Sequence, residues 1–240
     1  MAYEHRFRMP QIQPAQLGVY EGPTGPLNMD QPPYPLPYEY GNAYYTFVYG
    51  AARIIMLSSY SSMEPDSLQY KWLVETLESV DREETPWLVV VLHTPLYSTF
   101  ALHLKDPQIF AAIDHLEPLF IEHMVNLVFT GHIHAYLRTH PVRTGQLHKK
   151  GPIHITVGAG GRKCEAAFRN STAEEFVAVR DATKYGYGLL HIHNRTTAEW
   201  DWVHTGHEEE RDYNQLYKSE EQLPAGPSHD RVFLSNQYYL

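Results

Sequence analysis

Gly131-His132-Ile133-His134 sets two imidazoles two residues apart, directly after the short apolar run of residues 126–130. A His-x-His pair at the end of a strand can present both rings to neighbouring cations, without the helical spacing that zinc proteases use. Gly131 lets the backbone approach such a site closely. A third imidazole, His93, ends the continuous apolar run of residues 87–92 and opens His93-Thr94-Pro95-Leu96-Tyr97. The bland account is coincidence in a chain with 15 histidines, together with a histidine that merely caps a turn. Against it stands position, because His93 and the His132/His134 pair occupy equivalent places at the ends of two successive strands.

The elements that must hold these rings follow from the hydrophobic pattern. Residues 44–49 and 53–58 are β-rich runs joined by Gly50-Ala51, which predicts a hairpin. Pro65 and Asp66 open a stretch in which Leu68, Trp72, Leu73, Leu77 and Val80 recur at helical spacing, so a helix is expected to run to about Val80. Pro86 ends any helix, and the run after it has the uninterrupted apolarity of a strand buried on both faces. A second helix fits residues 107–125, with Ile109, Phe110, Ile113, Leu116, Leu119 and Phe120 inward. Strand, helix, strand with polar residues at both carboxyl ends is where α/β proteins place active sites. Further strands are expected at 151–157, 186–193 and 197–204. Residues 10–40, crowded with Pro, Gly, Gln and Tyr, read as an extended surface loop.

Composition narrows the partners. Hydrophobic residues make up 43% and charged residues 20% of 240 residues, which is ordinary for a folded domain. The formal charge is -9 with Lys and Arg dispersed, so no nucleic-acid groove is expected. That charge repels an anionic substrate unless bound cations reverse the local field, which favours a metal. Cys164 is the only cysteine and allows no intrachain disulfide. The start of the chain carries no secretory signal and no run is long enough to span a bilayer, so no membrane partner is expected.

Several motifs together resemble the purple acid phosphatases, within the calcineurin-like metallophosphoesterases. They are Ala2-Tyr3 through Arg6-Phe7-Arg8-Met9-Pro10, Tyr44-Tyr45-Thr46-Phe47, Gln69-Tyr70-Lys71-Trp72-Leu73, Thr85-Pro86-Trp87, His93-Thr94-Pro95-Leu96-Tyr97 and Gly131-His132-Ile133-His134-Ala135-Tyr136-Leu137-Arg138. Tyr187-Gly188 to Trp200-Asp201-Trp202 is similar to the family's final segment. The resemblance implies an α/β fold, part of a β-sandwich flanked by helices in α/β/β/α layers, with its N-terminal half absent. Residues 1–205 would form a partial catalytic domain, with a β-rich segment from about 148 to 205, and residues 206–240 a polar loop and tail.

It further implies an acid phosphatase acting on phosphate monoesters with Fe3+ beside a divalent Zn2+, Mn2+ or Fe2+. By position, His93 and His132 match ligands of the divalent ion and His134 a ligand of the iron. Such a trivalent ion would supply a nucleophile at low pH, and the second would hold the phosphate for in-line displacement. His103 matches a histidine that contacts substrate and protonates the leaving alcohol, a general acid; an exposed loop histidine is the alternative reading. The family's paired histidine is here Leu102-His103, followed by Leu104-Lys105-Asp106-Pro107.

The larger departure lies upstream. The family's aspartate, Gly-Asp-x-x-Tyr and Gly-Asn-His blocks have no counterpart, since the chain contains no Gly-Asp and its only Gly-Asn, Gly41-Asn42, precedes Ala43. Neutral imidazoles alone hold a trivalent ion poorly. The carboxylates are therefore expected in sequence preceding Met1, and a catalytically inactive remnant serving as a binding module, or a related phosphodiesterase, are the competing functions. Asn170-Ser171-Thr172 and Asn194-Arg195-Thr196 are acceptor sites for glycosylation. They accord with the secreted, vacuolar or lysosomal location that the resemblance implies, and the resemblance leaves a homodimer open.

Overall fold

The computed structural model describes Met9 and residues 42–161, 164, 166–207 and 230–240. The expected loop at 10–40 and most of the expected polar loop and tail at 206–240 lie outside the described residues, as do Ala2 to Arg8.

The first hairpin, β1 (Tyr45–Tyr49) and β2 (Ala52–Met56), is followed by helix α1 (Leu68–Glu78). Ser67 caps α1, its hydroxyl accepting the N–H of Tyr70. Strand β3 (Trp87–Val91) comes next, then α2 (Pro107–Ala111), a π turn (Ala112–Leu116) and α3 (Glu117–Glu122), then β4 (Leu127–Thr130). One helix over 107–125 was expected; the π turn divides it. Pro118 has no N–H to offer the carbonyl four residues earlier, so the register slips in the turn before it. Phe110 faces solvent rather than the core, while Ile109, Ala112, Leu116, Leu119 and Phe120 carry the inner face.

Strands β5 (Tyr136–Thr139), β6 (Val142–Arg143), β7 (Gln146–Leu147), β8 (Ile153–Val157) and β9 (Val177–Asp181) follow, then β10 (Lys184–Ile192), β11 (Thr197–His207) and β12 (Asp230–Ser235). Seven strands form one sheet in the order β1-β2-β3-β4-β8-β5-β9, and β10-β11-β12 form a second. From β2 to β8 the neighbours run parallel. Strand β12 lies within the stretch read as loop and tail, and pairs with β11 from Asp230↔Trp202 to Ser235↔Thr197.

Alternation along β3 shows how the layers form. Leu88 and Val90 pack with Leu73, Leu77, Leu116 and Phe120 from the helices, whereas Trp87 and Val89 pack with Trp200, Trp202 and Leu234 from the second sheet. Burying each such aliphatic side chain stabilises by roughly 1.5–3 kcal/mol. Helices on one face and a second sheet on the other give three of the four expected layers among the described residues.

Candidate metal centre

Strands β3 and β4 are parallel neighbours, Val91 opposite Phe129, so their carboxyl ends open on the same edge of the sheet. His93 and His132 stand there. The N–H of Gly131 donates to the carbonyl of His93 (2.9 Å) and holds the two strand ends in register. Beyond Gly131 the chain turns twice within four residues. The N–H of Ile133 donates to Gly131 O (2.7 Å), and that of Ala135 to Ile133 O (2.8 Å). Each is a three-residue turn, centred on His132 and then on His134. His132 takes φ +65° and His103 φ +60°, a left-handed conformation that costs a non-glycine residue about 1–2 kcal/mol. Residues held there against their preference cluster at functional sites.

The rings converge. His132 Nδ1 lies 3.0 Å from His93 Nε2, with ring centroids 4.9 Å apart. His103 lies 4.2 Å from His132, centroid to centroid. The fourth side chain of the group is Asp106, whose Oδ2 accepts from His132 Nε2 at 2.7 Å and from His103 Nδ1 at 3.0 Å. Among the described residues, His103, Asp106 and His132 are the one trio of metal-ligating side chains whose donor atoms all lie within 4.8 Å of one another. Tyr60 stacks on His93 at 5.8 Å and forms a wall of the site.

Two loops fix these groups. Gln69 is fully buried; its Oε1 accepts the N–H of Ser58 (2.7 Å) and its Nε2 donates to Ser58 O (3.0 Å), which pins the loop that carries Tyr60. From that loop Ser59 Oγ accepts the N–H of Thr94, next to His93. The loop carrying His103 is fastened to residues 166–169. Ala101 N–H donates to Ala167 O and Arg169 N–H to Thr99 O, both at 2.8 Å, while Phe100 packs on Phe168.

The electrostatics favour a cation. Partial burial, and then the charges that His132, His103 and His134 would carry, hold the His93 ring below the usual histidine range, which favours its neutral, lone-pair-bearing form. Two imidazoles on one tetrahedral ion with bonds of 2.0–2.1 Å place their nitrogens about 3.3 Å apart. The 3.0 Å between His93 and His132 is within a few tenths of an ångström of that, and the donor set fits one divalent ion of the zinc type.

The sequence-derived residues thus fall as follows. His93, His132 and His103 are brought together. His134 is near enough for its charge to act on His93. Asn170 and Asn194 are both exposed, Asn194 in the turn between β10 and β11. Asp106 is the member that sequence reasoning passed over. Its signal is the His-x-x-Asp spacing from His103 to Asp106, which is weak because an Asp before Pro ordinarily marks only a helix start.

Comparison with known proteins identifies the family. A model of the calcineurin-like phosphoesterase family matches residues 15–136, and one described as iron/zinc purple acid phosphatase-like protein C matches residues 151–213. Purple acid phosphatase 18 of Arabidopsis thaliana is 40% identical over 172 residues, covering 70% of this chain and 39% of its own length. A phosphoenolpyruvate phosphatase of Allium cepa is 36% identical over 171 residues, covering 66% of this chain and 35% of its own. In fold, a purple acid phosphatase from yellow lupin seeds superposes with a TM-score of 0.65 at 22% identity, over 82% of this chain and 33% of that one. The chain belongs to the calcineurin-like phosphoesterase family, in its purple acid phosphatase branch. It spans about two fifths of the length of the curated relatives it matches.

Proposed function

We propose that this chain supplies the histidine ligands and the proton donor of an acid phosphatase that hydrolyses phosphate monoesters at a dinuclear metal centre. The observation that carries the reading is the pair His93 Nε2 and His132 Nδ1, 3.0 Å apart at the ends of adjacent parallel strands. The two ions, Fe3+ and a divalent Zn2+, Mn2+ or Fe2+, supply Lewis acidity and a nucleophile at acid pH when bound. In this reading His93 and His132 hold the divalent ion and His134 the iron.

The chain's own residues do the rest. In this reading His103, its Nδ1 3.0 Å from Asp106 Oδ2, is the proton donor to the leaving alkoxide oxygen. Tyr60 stacks on His93 from the loop before α1. Exposure of Asn170 and Asn194 supports a glycoprotein of the secretory or vacuolar route. Among the described residues no helix is long and apolar enough to cross a membrane.

The test is elemental analysis of purified protein together with hydrolysis of p-nitrophenyl phosphate and of its bis ester at acid pH. Iron and a second metal near one each, with preference for the monoester, support the proposal. Preference for the diester overturns the monoesterase assignment, and metal-free soluble protein supports a non-catalytic binding module instead.

A further inference from the structure

Asp106 occupies the N-cap of α2, yet its side chain makes no capping bond. An N-cap aspartate normally accepts from the backbone N–H groups of the first turn, which is what makes the residue favourable there. Here one oxygen, Oδ2, is turned out of the helix and takes two imidazole N–H groups, those of His132 Nε2 (2.7 Å) and His103 Nδ1 (3.0 Å). Capping is forgone for the site.

An ionised carboxylate is an acceptor only, so both nitrogens facing Asp106 must carry hydrogen. A neutral imidazole with hydrogen on Nε2 has its lone pair on Nδ1. For His132 that lone pair lies beside His93 Nε2, where the proposed function puts the divalent ion. For His103, hydrogen on Nδ1 leaves the lone pair on Nε2. We propose that Asp106 is the positioning residue of this site, fixing the tautomers of His132 and His103 so that one ring offers Nδ1 to a divalent cation and the other offers Nε2 for proton transfer. Carboxylates that accept the second N–H of a ligating histidine orient the ring and raise its basicity, and losing them weakens metal binding about 10–100-fold.

The inference rests on the proposed function only for the cation; the tautomers are a property of the chain itself. It is tested on the 240-residue chain labelled with 15N, by long-range 1H–15N correlation of the histidine rings without metal and then with Zn2+. Zn2+ affinity is measured in parallel by calorimetry. The wild type is expected to hold His132 as the Nε2–H form and His103 as the Nδ1–H form, and Zn2+ is expected to shift Nδ1 of His132. Asp106→Asn should release both tautomers and lower Zn2+ affinity about 10–100-fold, while Asp106→Glu should restore the tautomers and most of the affinity, a rescue that a merely structural role does not give.

His132 found as the Nδ1–H form in the wild type overturns the inference whatever the variants do. So does a Zn2+ shift on Nε2, which would make Asp106 a neighbour on the ion rather than a support behind the ring. Unchanged tautomers in Asp106→Asn overturn it equally. A wild type that takes up no Zn2+ counts against the proposed function, and the metal-free spectra still decide the role of Asp106.

Discussion

A methyl group added to Gly158 would lie 1.8 Å from the carbonyl oxygen of Ile133. Gly158 follows β8, and its N–H donates to Ala135 O at 3.1 Å, so it backs directly on the double turn that aims His132 and His134. The crowding is against backbone, which cannot swing aside as a side chain can. Gly158→Ala is expected to cost about 1–3 kcal/mol and to displace the turn. Thermal denaturation and Zn2+ titration check it together. Affinity equal to wild type would show that Gly158 does not set the turn.

His132 and His134 sit at successive turns, and the proposed function gives them to different ions. Replacing one at a time should therefore change different metals. His132→Ala is expected to lose the divalent ion and reduce turnover to background, whereas His134→Ala is expected to lose iron first. Elemental analysis of each variant in an intact enzyme reads this directly. Retention of the divalent ion in His132→Ala would refute its role.

Asp230 ties the last strand to the sheet that carries the site. Its carboxylate accepts from Arg138 Nε (2.8 Å) and Nη2 (2.9 Å) and from the Tyr136 hydroxyl at 2.5 Å, while Tyr136 also accepts from Trp200 Nε1. Burial and then the Asp230 charge push the Tyr136 hydroxyl well above the usual tyrosine range, so it remains a donor throughout. Removing one partner of a buried pair leaves the other charge uncompensated, at about 3–5 kcal/mol. Asp230→Ala should lower the urea midpoint accordingly, and Asp230→Asn by less. A midpoint within error of wild type would mean that β12 contributes little.

Much of the site is legible in the sequence because its signals are local. His93 and His132 each follow an apolar run, and a run of that kind ends at the carboxyl edge of a parallel sheet whatever the rest of the chain does. Asp106 is hidden because its partner His132 is 26 residues away, and its local context announces only a helix start. The π turn is legible in hindsight from Pro118, whose missing N–H acts on a carbonyl four residues back. β12 is not, since an edge strand after a polar stretch depends on a partner strand for its register. Gly188 is comparable: it lies inside β10, where a Cβ would come within 1.8 Å of the Trp200 ring, a cross-strand demand that no window around residue 188 contains.

His154 makes acid a structural stress for this fold. Its side chain is buried in β8, both ring nitrogens lack hydrogen-bond partners among the described residues, and its ring meets the Tyr97 ring edge-on at 4.7 Å. Burial alone pushes it down to about 3 from the ordinary 6.5. In the unfolded chain the imidazole takes up a proton as pH falls through about 6.5, while the folded chain refuses one until about 3. Between those values the unfolded state binds more protons, so stability falls with falling pH by about 1.4 kcal/mol per unit, and below about 3 the loss stops growing. His154→Phe keeps a ring against Tyr97 and removes the titration. Between pH 7 and pH 5 it should lose about 2 kcal/mol less unfolding free energy than wild type, measured by urea denaturation at each pH. Parallel pH dependences would show that His154 is protonated or hydrated in the native state.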